Sequence, residues 1–89
     1  MSAYSASTTG NALLTPAPAE LCTLTVIPTA VPFTIVVKNG SIGGVTLYSV
    51  GSDVIGKAVT VIFPVPLLFD KGVYTQVVGG TGNIYISYI

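Results

Sequence analysis

Apolar and polar residues alternate along most of this chain with a period of two. In residues 21–27, LCTLTVI, Cys22, Leu24 and Val26 stand against Thr23 and Thr25. In residues 33–38, FTIVVK, Phe33, Ile35 and Val37 stand against Thr34, Val36 and Lys38. Alternation of this kind sends successive side chains to opposite faces of an extended chain, and it predicts half-buried strands. The stretches VTLYSV (45–50), KAVTVIF (57–63), VYTQVV (73–78) and NIYISYI (83–89) read the same way. In 57–63, Val59, Val61 and Phe63 share one face and Ala58, Thr60 and Ile62 the other. The segment 83–89 is apolar on both faces, with Ile84, Ile86 and Tyr88 on one and Tyr85 and Ile89 on the other. A strand of that composition is expected to be central or to lie at an interface.

The punctuation between these runs is turn chemistry. Asn39-Gly40 is a strong hairpin signal, because both residue types tolerate the positive φ of a type I′ turn. Ser41-Ile42 then starts the return, with Gly43-Gly44 as a bulge. Gly51-Ser52-Asp53 and Asp70-Lys71-Gly72 predict tight turns. Pro64 and Pro66 cannot donate to a ladder, which confines 64–66 to an edge or a crossover. Gly79-Gly80-Thr81-Gly82 predicts a hairpin loop between the last two strands. No window carries helical periodicity, and β-branched residues dominate. The expectation is an all-β domain: a small six- to seven-stranded antiparallel β-sandwich, jelly-roll or immunoglobulin-like. Its predicted core is Leu24, Val26, Phe33, Ile35, Val37, Leu47, Val59, Val61, Phe63, Val73, Val77, Ile84 and Ile86.

Residues 1–20, MSAYSASTTGNALLTPAPAE, differ from the rest. They are rich in Ser, Thr, Ala and Pro, and the prolines at 16 and 18 favour an extended path. This segment is expected to be an extended N-terminal arm on a domain spanning 21–89, lying on its own domain or on a neighbouring subunit. Its large apolar handles are Tyr4, Leu13 and Leu14. The opening decapeptide has neither the basic stretch nor the apolar run of a signal peptide, so none is expected.

Composition sharpens this picture. A chain of 89 residues is one small domain with a thin core. Such domains are commonly reinforced by disulfides, a metal or association. Cys22 is the only cysteine, histidine is absent, and Glu20, Asp53 and Asp70 are far apart in sequence, so association is the expected route and no metal or cofactor is expected. Only 7% of residues are charged, against an average near 25%, and there is no arginine. With 51% apolar residues, part of the surface is expected to meet protein. Three lysines are too few to neutralise a phosphate backbone, which argues against nucleic acid. Mean hydropathy is +0.82, but the longest apolar run, 24–37, has 14 residues and two prolines, short of the roughly 20 that a spanning helix needs.

No catalytic constellation can be assembled, and the chain is not expected to be an enzyme. Cys22 has no histidine to activate it and is expected to be a buried, inert thiol. The glycines at 79–82 precede a strand, not the helix N-terminus of a phosphate cradle. Asp53 and Asp70 fall in turn contexts where Asp caps its own backbone. Asn39-Gly40-Ser41 matches a glycosylation sequon, though turn chemistry accounts for it. Tyr48, Tyr74, Tyr85 and Tyr88 could form a sugar-stacking row, but tyrosine is also enriched in cores and at subunit interfaces, the weightier reading here.

The stretches PFTIVVKNG, VTLYSV and FPVPLLFDKGVYTQVVGGTGNIYISYI resemble small virion proteins of tailed bacteriophages. The likeness lies in a strand at Gly44 to Val50, a turn at Pro66 to Tyr74 and a final segment at Gly80 to Tyr88, and it covers about two-thirds of the chain. It implies a compact β-sandwich of the capsid decoration or cement type, located on the capsid exterior. Its partners would be the major capsid protein and copies of itself, as a homo-trimer or clustered on the shell, with no nucleic acid and no membrane. Contacts are expected at Tyr4, Leu13, Leu14, Pro16, Pro18, Tyr85 and Ile89. The alternative is a tail- or fibre-associated β module recognising a glycan or receptor through Tyr48 or Tyr74.

Overall fold

The computed structural model describes residues 4–16 and 18–89; residues 1–3 and 17 of the expected arm lie outside the described residues. The chain is all-β, with no helix among the described residues. Six strands form one antiparallel sheet: β1 (Tyr4–Thr8), β2 (Ala12–Thr15), β3 (Ala19–Asn39), β4 (Thr46–Ser52), β5 (Val59–Phe69) and β6 (Val73–Tyr88).

Two long strands organise the sheet. β3 and β6 pair along nearly their whole length, from Leu21 opposite Tyr88 to Asn39 opposite Val73. Each has a different neighbour at each end on its other flank. β5 pairs with the first part of β3 (Ala19 opposite Phe69 through Val26 opposite Val59), and β4 with the last part (Phe33 opposite Ser52 through Lys38 opposite Thr46). β1 pairs with the end of β6, and β2 with its beginning. One half therefore runs β5, β3, β6, β1, and the other β4, β3, β6, β2. The segment expected as an arm thus contributes two strands, both hydrogen-bonded to β6 of the same chain.

The halves meet where the ladder between β3 and β6 is irregular, between Pro28 and Ile35 on β3. Here the sequence expectation of a hairpin at 79–82 is corrected: β6 runs unbroken through all four residues. The physical reason lies in Gly80 and Gly82. Gly80 has a φ of 72°, and a Cβ there would collide with the carbonyl oxygens of Pro32 and Ala30. A Cβ on Gly82 would come within 2.6 Å of the Ile27 carbonyl oxygen and 2.7 Å of the Phe33 ring. The glycines let β6 stay paired to β3 at close backbone approach through this irregular stretch. Residues 21–27 and 33–38, read as two strands, are likewise parts of the single strand β3.

The Asn39-Gly40 turn is corrected in type. β3 and β4 do form a hairpin, but residues 40–45 make its loop, and only Gly40 has a positive φ, 87°. The Asn39 N–H donates to the Val45 carbonyl at 2.9 Å, and the Lys38 ammonium donates to the Ile42 carbonyl at 2.8 Å, closing the loop.

Both halves send side chains into one hydrophobic cluster. Leu21, Leu24, Val26, Ile84 and Ile86 come from one, and Phe33, Ile35, Val37 and Val73 from the other, with Ala19 and Phe69 completing it. Of the predicted core, Leu47, Val59, Val61, Phe63 and Val77 are half-buried against this cluster. Leu21, Ala19 and Phe69 were not anticipated. A bulge explains Leu21: Leu21 opposes Tyr88 and Thr23 opposes Ser87, so Cys22 is the extra residue. The bulge breaks strict alternation, so Leu21 and Leu24 both point inward and Cys22 is half-buried rather than enclosed as expected. On the other flank the single residue Cys22 faces four on β5, Phe63 to Pro66, so the prolines sit where no ladder donor is required. β5 is an edge strand, as its prolines predict.

Candidate interaction surface

The groups with intrinsic reactivity do not converge. The Cys22 thiol lies 3.7 Å from the Glu20 carbonyl oxygen. No group of three potential metal ligands occurs among the described residues. Asp53 lines a shallow, open depression with Pro32, Thr34, Gly51 and Ser52, a setting without a second titratable group. Asp70 accepts a hydrogen bond from the Asn39 side-chain amide.

That contact belongs to a clamp that sequence reading missed. The Asn39 amide nitrogen donates to Asp70, and its amide oxygen accepts the Lys71 N–H at 2.9 Å. Next to it, the Gly40 N–H donates to the Gly72 carbonyl at 2.9 Å. The end of β3 and the turn entering β6 are thereby tied together by three hydrogen bonds. The turn itself closes through the Gly72 N–H and the Phe69 carbonyl, 3.3 Å apart.

The broadest shared feature is a sheet face. Opposed residues of an antiparallel pair point the same way. The registers therefore place Thr60 and Ile62 of β5, Thr23 and Thr25 of β3, Tyr85 and Ser87 of β6, and Ser5 and Ser7 of β1 on one face, opposite Leu24, Val26, Ile84 and Ile86. None of the eight is charged. Its hydroxyls bond across the strands: Thr23 with Ser87 at 2.6 Å and Thr25 with Thr60 at 3.1 Å. Hydroxyls that already have partners in the sheet lose less when water is removed than free ones. Ile62 and Tyr85 stand exposed on this face; Val65 and Leu68 are exposed further along β5, where Leu68 stands opposite the exposed Glu20 at the border of the uncharged patch.

The residues expected at contacts are dispersed. Tyr85 lies on this face, opposite Ser7 and Thr25. Tyr4 is exposed on β1, its ring stacked on Tyr88 with centroids 5.7 Å apart. Ile89 exchanges two backbone hydrogen bonds with Glu20, at 2.9 and 3.0 Å. Leu13 is in the other half, exposed on β2 opposite Tyr74, while Leu14 packs against the core. Pro16 and Pro18 are exposed between β2 and β3. Tyr48 is half-buried against Phe63, and Tyr74 is half-buried beside Lys38 and Leu13, so neither belongs to an open aromatic row. The exposure of Ile62, Val65 and Leu68 on β5 was not anticipated, although PVP between apolar runs was the available signal.

No protein-family model matches this chain, and no curated protein matches it in sequence. Among the described residues no helix is long and apolar enough to cross a membrane.

Proposed function

We propose that this protein is a non-catalytic structural module of the virion decoration or cement type, which docks its uncharged sheet face on an assembled protein shell. The observation that carries the reading is the face of Thr23, Thr25, Thr60, Ile62, Tyr85, Ser87, Ser5 and Ser7, which is free of charge and in which four of the seven hydroxyls bond one another across strands. Burying such a face against protein leaves no charge to desolvate. Exposure of twelve large apolar side chains among the described residues, in a chain with six charged ones, supports the same reading. A module that binds the assembled lattice and not its free subunits stabilises assembly by mass action, and many copies multiply a small energy per site. The partners on this proposal are the major capsid protein and further copies of the chain on the capsid exterior.

The proposal includes a finer reading of the fold. The six-stranded sheet is taken as doubled over at the joint of β3 and β6, giving a two-layer sandwich with β5 above β4 and β1 above β2. Support comes from the single cluster shared by both halves and from a shortest principal extent of 17 Å, which accommodates two layers about 10 Å apart.

The test is co-sedimentation of purified protein with assembled shells and, separately, with unassembled capsid protein from the same particle. Pelleting with shells alone is expected. Failure to bind shells, or equal binding to free subunits, would overturn the proposal.

A further inference from the structure

We propose that Asn39 is a latent deamidation site that the turn of residues 70–72 holds closed, so that opening this clamp marks the protein irreversibly. The chain has three asparagines, Asn11, Asn39 and Asn83, and only Asn39 precedes a glycine. Glycine places no side chain against the attacking nitrogen, which makes Asn-Gly the sequence most prone to this reaction. The deprotonated Gly40 backbone nitrogen attacks the Asn39 side-chain carbonyl carbon. A new C–N bond closes a five-membered imide, the bond to the side-chain nitrogen breaks, and ammonia leaves. Water then opens the imide at either carbonyl, giving aspartate or isoaspartate at position 39.

The clamp restrains every participant in that step. The nucleophile is engaged, because the Gly40 N–H donates to the Gly72 carbonyl at 2.9 Å. The electrophile is fixed at both ends, because its nitrogen donates to Asp70 and its oxygen accepts the Lys71 N–H at 2.9 Å. For the nitrogen to reach the carbonyl carbon, these bonds must open together. The approach is close enough that a Cβ at Gly40 would lie 2.7 Å from the Lys71 Cβ, so the two segments cannot shift independently. The product cannot restore the clamp. A carboxylate at position 39 has no N–H to offer Asp70 and faces it as a like charge. Each event also moves the chain from a formal net charge of zero to a negative one.

The site reacts only from its open state, so its rate reports how often the clamp opens. Opening three modest hydrogen bonds together corresponds to a slowing of roughly ten- to a thousandfold. The test incubates the folded protein, the same protein unfolded in urea, and folded Asp70→Ala in mildly alkaline buffer. Conversion at each asparagine is followed by peptide mass spectrometry, with isoaspartate detected enzymatically and the fold of the variant checked by circular dichroism. Asn39 is expected to convert readily in urea, slowly in the native protein, and at an intermediate rate in Asp70→Ala. Native and urea-treated protein converting Asn39 at one rate would overturn the proposal, and this comparison needs no variant. A folded Asp70→Ala protein protected like the native one would also overturn it, by removing the clamp as the cause.

Discussion

Tyr48 on β4 and Phe63 on β5 meet edge to face, with ring centroids 5.1 Å apart and planes at 84°. No strand pairing joins β4 to β5; they flank opposite ends of β3, and the contact bridges the two halves of the sheet. Aromatic pairs in this arrangement couple by about 0.5–1.5 kcal/mol beyond the area they bury. A double-mutant cycle with Tyr48→Ala and Phe63→Ala, read by urea unfolding, is expected to give a coupling in that range. Additive losses would mean that the rings do not hold the halves together.

Gly82 should resist substitution by alanine, whereas Gly10 should accept it. A Cβ at Gly82 would press on the Phe33 ring and the Ile27 carbonyl, while one at Gly10 would have no atom within 4 Å. Gly82→Ala is expected to lose roughly 1–3 kcal/mol through overpacking. Gly10→Ala should fall within about 0.5 kcal/mol of wild type, or gain slightly by stiffening the unfolded chain. Thermal melts of both variants check the contrast.

Removing residues 1–16 should destabilise the fold rather than trim an appendage. The deletion uncovers β6 from Ile84 to Tyr88 and from Val73 to Thr75, and it takes away the half-buried Leu14 and the buried Thr15. Lost strand pairing and lost apolar burial together come to roughly 3–6 kcal/mol. That is a large share of a small domain's stability. Denaturant titration of the truncated chain is the measurement, and an unchanged midpoint would make β1 and β2 peripheral.

Charge placed on the uncharged face should separate binding from folding. Thr25→Lys and Tyr85→Lys add a solvated side chain on the outer side of the sheet, so stability should move by no more than about 1 kcal/mol. Sedimentation with assembled shells should fall sharply, because each docked copy would bury an unpaired ammonium. Wild-type sedimentation of both variants would exclude this face as the contact.

Strand identity was legible because its signal is local. Phe33, Ile35 and Val37 alternate in sequence and are buried together, as are Ile84 and Ile86. What escaped was decided by partners distant in sequence. Four residues around three glycines suit a hairpin as well as a bend, and the choice at 79–82 rests on Phe33 and Pro32 lying against Gly82 and Gly80. The inward turn of Leu21 depends on a bulge at Cys22, matched by a detour of β5 at Phe63 to Pro66 some forty residues later. Asn39 signalled a turn through its own backbone, yet its side chain serves a different turn at 70–72. The candidate face was harder still. Tyr85 was anticipated on the outer face, but the face as a whole comes from four strands whose adjacency only the register reveals.

The central position of β6 dictates when this protein can fold during its synthesis. β1, β2 and β3 all pair with residues 73–88, and Tyr4 waits for Tyr88. While the chain emerges from the ribosome, the first seventy residues hold only the pairings of β3 with β4 and β5. Their apolar faces are then open to chaperones or to neighbouring nascent chains. The sheet closes in one late event once β6 is free, a vulnerability set by strand order alone.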